Sequence, residues 1–228
     1  MERKFKFAVG EYYHVYNRGS DKRSIFLNDV DRDRFIKLLY LANGSKSVRL
    51  CDLPRGFPSW WTIDRGETLV SVGAYCLMPN HFHLLLREKI ENGITKFMLK
   101  LTTGYSMYFN KKNDRTGALF QGAFKAQSVQ DDRHLNYLFA YIHLNPVKLI
   151  EPRWREDGLI DQSAAKKYLE KYQYSSYPEH IGSGRLSHRS IINLGDFPEY
   201  FATYKEFNDF IFDWLNFSTV RGTLEEQR

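Results

Sequence analysis

An α+β fold, in which an antiparallel β-sheet is covered by helices and followed by a mostly helical C-terminal extension, is predicted by three observations on the 228-residue chain. Stretches rich in β-branched and aromatic residues fall near 11–19, 68–87 and 120–129. Apolar residues recur at helical spacing between and after them, near 30–41, 94–109 and 132–144. The resulting order of strand, helix, strand pair, helix, strand and helix is that of a ferredoxin-like split β-α-β unit.

The first strand is expected over Glu11–Gly19, which ends on an Asn-Arg-Gly turn signal, with Arg18, Lys22 and Arg23 at or just beyond its end. Asn28 or Asp29 caps a helix whose apolar positions are Val30, Phe35, Leu38, Leu39 and Leu41; Asp31 to Arg34 and Lys37 read as its wet start and outer face. Gly44, Pro54, Gly56, Pro58 and Gly66 then break the pattern over 43–66. That segment reads as an insertion with a strand near Val48–Cys51 and a Trp60-Trp61 pair that anchors the loop. Thr68 to Met78 is a central strand, and Pro79-Asn80 is a tight connection into the next one. Ile94 to Phe109 forms a long helix with an apolar stripe that includes Met98, Tyr105 and Met107 and a basic one of Lys96 and Lys100. A basic turn, 111–117, leads to a strand over Phe120–Val129. Asp131 or Asp132 caps the last core helix, which Pro146 ends.

Two cysteines, Cys51 and Cys76, are too few for a disulfide framework and lack the spacing of a zinc knuckle, so both read as reduced structural residues. No stretch reaches the ~20 apolar residues of a membrane span, and the first residues have no apolar core of a secretory signal. A cytoplasmic protein with no membrane partner is expected. Net charge is +6 and the pI about 9.1, which suits a polyanionic partner without requiring one. No low-complexity tail or internal repeat is present.

Chemistry concentrates in Leu77–Arg87. Side chains alternate along a strand, so His81 and His83 share one face while Phe82 points into the opposite layer. Two neutral imidazoles that leave coordination positions open suit a catalytic divalent ion better than a closed structural one; the bland alternative is a pair of hydrogen-bonded core histidines. On the last core helix Tyr141 and Asn145 are four apart and hence on one face. If that face covers the two histidines, a phenol and an amide oxygen meet the ion. Tyr141 can then attack a phosphodiester, and Asn145 can supply a third ligand.

These segments resemble the HUH endonuclease superfamily, and within it the single-tyrosine transposases of the IS200-like and REP-associated branches. Tyr13–Gly19 looks like the family's first strand and turn, Met78–Leu84 like its metal motif, Phe120–Lys125 like the strand before the nucleophile helix, and Tyr141–Val147 like the nucleophile segment. Tyr174-Ser175-Ser176-Tyr177 is similar to a short tail motif of the branch associated with repetitive extragenic palindromes. The resemblance implies the HUH endonuclease fold and a DNA nickase and strand transferase that acts on single-stranded DNA near hairpins. Its tyrosine keeps the 5′ phosphate and needs Mg²⁺ or Mn²⁺ but no nucleotide cofactor. Carried over residue by residue, His81 and His83 match the metal ligands, Tyr141 the nucleophile, and Asn145 a third ligand where relatives often have glutamine. Arg18, Lys22, Arg23, Gln121 and Lys125 are candidates for DNA contacts. Tyr137 is taken as a packing residue, and His143 faces elsewhere on the helix.

The resemblance covers about residues 11–150. A catalytic domain over 1–150, with its insertion, and an extension over 151–228 are therefore expected. In the extension Phe197, Tyr200, Phe201, Tyr204, Phe207, Phe210, Ile211, Trp214 and Leu215 fall near helical spacing. Their apolar face packs either on the core or on a second copy in a homodimer. Two other readings of the chain are a DNA-hairpin binder that keeps the fold without cutting and a hydrolase in which the metal activates water without a covalent step.

Overall fold

The computed structural model describes residues 6–53 and 59–217. Four antiparallel strands, β1 (Tyr12–Arg18), β2 (Val70–Met78), β3 (His81–Glu88) and β4 (Lys125–Ser128), form one sheet in the order β2-β3-β1-β4. Helix α1 (Asp29–Leu41) follows β1 and α2 (Gly93–Lys112) follows β3. This is the ferredoxin-like β-α-β-β-α-β arrangement. Helix α3 (Asp132–Leu144) comes next, then the short helices α4 (Trp154–Asp157), α5 (Gln162–Lys171), α6 (Tyr177–His180) and α7 (Leu186–Arg189), and finally α8 (Tyr204–Phe217).

Alternation divides the sheet into two faces. Val15, Leu77, Phe82, Leu84 and Leu86 pack with Phe35, Leu39, Phe97, Leu101 and Tyr105 of α1 and α2. Ala74, Cys76, Met78 and Leu85 pack with Leu135, Leu138, Phe139 and Ile142 of α3. A third apolar cluster joins Ala140 and Leu144 of α3 to Trp154, Leu169, Tyr177, Phe207 and Ile211. Helix α3 is thus wedged between the sheet and the C-terminal segment.

Local chemistry explains the element starts. The Asn28 side chain accepts the Asp31 N–H at 3.2 Å, and the Asp131 carboxylate accepts the His134 N–H at 2.7 Å. The buried Glu88 carboxylate accepts from the N–H groups of Gly93 and Ile94 and so caps α2.

Four details differ from the sequence expectation. No strand forms near 48–51; Leu50–Asp52 is a 3₁₀ turn. Both edges of β2 are already taken, one by β3 and the other by residues 174–176. The strand expected over Phe120–Val129 shrinks to four residues, because Gly122 turns the chain with a φ of +71° and only Phe120 bridges to Gly19 beforehand. Asp31 is not wet. It is fully buried between α1 and α2, where it accepts from Tyr108 at 2.9 Å, Lys112 at 2.6 Å and the Leu27 N–H. Val30 and Met107, read as inward, are exposed instead. Trp60 is buried edge-on against Tyr40 within a 3₁₀ turn, Trp60–Thr62. Pro54, Gly56 and Pro58 lie outside the described residues, as does the side chain of Cys51; Cys76 is a buried free thiol.

Candidate functional site

Three strands and one helix converge at the candidate site on the α3 face. Strand register places Arg18 opposite His81 and Tyr16 opposite His83, and β4 adds Lys125 opposite Tyr16. One sheet face therefore presents His14, Tyr16 and Arg18 from β1, His81 and His83 from β3, and Lys125 from β4. Cys76 of β2 stands opposite His83 from the other side.

The two-residue turn Pro79-Asn80 pins the first histidine. The Asn80 carbonyl accepts the Gly19 N–H at 2.9 Å, and that of Pro79 accepts from Ile25 and Phe26. The Asn80 side chain donates to the Lys22 carbonyl at 3.2 Å and accepts from His81 Nδ1 at 2.6 Å. The proton of His81 is therefore on Nδ1 and its lone pair on Nε2. Burial, and then the positive charges of Lys148 and Arg18, lower its pKa to about 4, so the ring is neutral at pH 7. The second histidine is held by a third that lies outside the His-x-His motif. His14 Nε2 and His83 Nδ1 are 2.8 Å apart and hydrogen-bonded, with both rings buried. The His81 and His83 rings stand perpendicular, 5.0 Å between centroids.

Helix α3 brings Tyr141 to this pair. Its ring is edge-on to His83 at 5.4 Å and to His14 at 5.7 Å. Tyr137, one turn earlier, packs against Tyr141 at 5.7 Å and Trp214 of α8 at 5.3 Å. The Arg155 guanidinium of α4 lies 4.7 Å from the centre of the Tyr141 ring. Asn145, buried at the C-terminal end of α3, donates its Nδ2 to the Tyr141 carbonyl at 2.7 Å. Among the described residues no three His, Cys, Asp or Glu side chains gather as a metal site.

Of the residues read as DNA contacts, Arg18 and Gln121 are hydrogen-bonded to each other through Nε and Oε1. Gln121 is held there because its N–H donates to the Arg18 carbonyl at 2.8 Å. Lys125 is exposed on the same sheet face. Lys22 and Arg23 lie apart in the 3₁₀ turn after β1, where Arg23 pairs with Asp21 and the Ser20 carbonyl. His14, Tyr16, Lys148 and Arg155 are not among the site residues expected from the sequence, and Asn80 is expected only as part of the turn. The alternation His14, Tyr16, Arg18 was a usable signal, but the pairing of β1 with β3 that makes it meaningful is a tertiary fact.

No curated protein matches the chain. Among solved structures it is similar to one described as a REP-associated tyrosine transposase bound to a REP hairpin, with 14% identity over 89% of this chain and 91% of that one and a TM-score of 0.47. Residues 66–145 match the family described as "Transposase IS200 like". The matched stretch, about a third of the chain, runs from just before β2 to the C-terminal end of α3 and contains His81, His83, Tyr141 and Asn145, so that this part of the chain is similar to the IS200-like transposases.

Proposed function

We propose that the chain is a metal-dependent endonuclease and strand transferase that cuts and rejoins single-stranded DNA near hairpins, with Tyr141 as nucleophile. The observation that carries this reading is the approach of the Tyr141 ring to His83, 5.4 Å away on a face shared with His81. The family match supplies the class of activity.

The residues fit a divalent ion. His81 is neutral with its lone pair on Nε2, and since His83 Nδ1 is engaged by His14, Nε2 is the nitrogen that the second ring would offer an ion when His83 is the donor of that bond. Asn145, whose amide nitrogen is occupied by the Tyr141 carbonyl, would add its oxygen. When bound, Mg²⁺ or Mn²⁺ supplies charge stabilisation at the scissile phosphodiester. Everything else falls to the chain. The Tyr141 oxygen forms a bond to phosphorus as the bond to the 3′ oxygen breaks; the phenolic proton passes to solvent, and the departing 3′ oxygen takes a proton from solvent and leaves as a hydroxyl. The phosphotyrosine bond conserves the energy needed for rejoining, so no nucleotide is consumed. Arg155 over the ring, with Arg18 and Lys148 near His81, surrounds the position of the phosphate with positive charge. Arg18, Gln121 and Lys125 would hold the strand, with Lys22 and Arg23 at its margin and the half-buried Tyr16 as a stacking surface.

The test is incubation of wild type and Tyr141→Phe with a library of single-stranded hairpin DNAs and Mn²⁺ or Mg²⁺, read on denaturing gels and by mass spectrometry. A protein–DNA adduct on Tyr141 that vanishes with the substitution or with chelator is expected. Hairpin binding with neither cleavage nor adduct throughout the library would sink the enzyme reading and leave a hairpin binder.

A further inference from the structure

Helix α3 is steered from the side opposite its tyrosine by a segment beyond the matched residues. Residues 174–176 run along the outer edge of β2: the Leu77 N–H donates to the Tyr174 carbonyl at 2.8 Å, Ser176 N–H to the Tyr75 carbonyl at 2.9 Å, and Ser175 bridges Cys76. Ser176 Oγ accepts the Tyr75 N–H at 2.9 Å and lies 2.7 Å from His143 Nε2. His143 Nδ1 is 2.8 Å from the Phe139 carbonyl, which can only accept. The proton of His143 is therefore on Nδ1, Nε2 holds the lone pair, and the Ser176 hydroxyl donates to it. The other acceptor within reach of the Ser176 hydroxyl, the Tyr75 carbonyl, is 3.4 Å away against 2.7 Å for His143 Nε2, so the shorter bond links β2 through Ser176 and His143 to the helix backbone, and both side chains are fully buried.

Apolar contacts such as Leu138 and Ile142 against Leu85 and Met78 tolerate small slides and rotations of α3. The Ser176–His143 bond does not, because it is directional and anchored on a strand edge. His143 follows Tyr141 by two residues, about 200° around the helix axis. A rotation that lengthened the bond would swing Tyr141 relative to His81 and His83. We infer that Ser176 and His143 are positioning residues, a latch that sets the rotation of α3 and so aims Tyr141 at the histidine pair. The catalytic meaning of the latch rests on the reading of Tyr141 as nucleophile.

The test uses the full chain with 3-fluorotyrosine at position 141, in the Ser176→Ala, Ser176→Thr and His143→Gln variants. Two quantities are read, the ¹⁹F resonance and the rate of adduct formation at saturating hairpin DNA; hairpin affinity is measured separately in a Tyr141→Phe background. Ser176→Ala is expected to shift or split the resonance and slow the adduct by about 10- to 100-fold, the scale of a 1 Å misplacement. Affinity should stay within about twofold, as the latch does not face DNA. Threonine, which keeps the hydroxyl, should restore both readouts, and glutamine at 143, which can accept from Ser176, should restore them in part. An unchanged resonance and rate in Ser176→Ala overturns the latch. Joint loss of hairpin binding and rate in Ser176→Ala and His143→Gln also overturns it, since the contact would then merely hold the fold. A shifted resonance alongside a wild type that forms no adduct would instead defeat the nucleophile reading while leaving the placement of Tyr141 by Ser176 standing.

Discussion

A histidine ring is only as well placed as the group that holds one of its nitrogens, and here the two rings of the His-x-His pair are held differently. Asn80 holds His81 from within its own turn, whereas His83 depends on His14 from a neighbouring strand. His14→Ala is expected to weaken Mn²⁺ binding by about 10- to 100-fold, the usual cost of losing such a partner, with His14→Gln losing less; titration followed by electron paramagnetic resonance checks this. Arg155→Ala should slow adduct formation by roughly fivefold, the equivalent of about 1 kcal/mol for a cation over an aromatic face, measured against Arg155→Lys under single-turnover conditions. At this scale the sequence was half legible. The shared face of His81 and His83 follows from alternation alone, and the placement of Phe82 in the opposite core follows with it. His14 and Arg155 were hidden because strand register and the fold of 151–157 decide their positions. Asp31 was misread because a carboxylate next to a helix start is ordinarily solvated; the lysine and tyrosine that pay for its burial lie about 80 residues away on α2.

Elements that contain their own periodicity were readable, and those defined by a partner were not. Helices α1 and α3 begin at the expected caps, α2 begins at Gly93 beside the expected Ile94, and β2 and β3 meet at the expected Pro79-Asn80 turn. Strand β4 is short because Gly122 turns the chain before it, and 48–51 is no strand because the edge of β2 is not open to it. The edge of β2 is occupied instead by 174–176 and by His180, whose Nε2–H donates to the Gly73 carbonyl at 2.9 Å. Burial lowers the His180 pKa to about 4. The unfolded chain takes up this proton below the ordinary value near 6.5 and the folded one only below about 4. The contribution of His180 to stability is therefore complete above pH 6.5 and is lost as pH falls toward 4, at about 1.4 kcal/mol per pH unit. Urea titrations at pH 7 and pH 5 should show a smaller difference in His180→Gln than in wild type. Gly73 is constrained as well, since a Cβ there would sit 2.6 Å from the Phe197 ring. Gly73→Ala is expected to cost about 1–3 kcal/mol as an overpacking change, partly recovered by Phe197→Leu, with thermal melts as the readout.

Across the whole molecule, α3 belongs to two cores at once, one shared with the sheet and one with α5, α6 and α8. The C-terminal segment therefore helps set where Tyr141 stands, although the family match ends at residue 145. Among the described residues no helix is long and apolar enough to cross a membrane. If Arg18 and Lys125 neutralise phosphates on the open sheet face, Lys125→Ala should lower the slope of log affinity against log salt by about 0.7, the share of one phosphate on a single strand, and filter binding over a range of salt concentrations measures it. Cys76 lies at the seam of this arrangement, fully buried on β2 between His83 and the Ser175 bridge, its thiol pushed far above its ordinary pKa by burial. A thiol in that state reacts with alkylating reagents only when the seam parts, so in a Cys51→Ser background its labelling rate becomes a clock for how often residues 174–176 peel from the sheet.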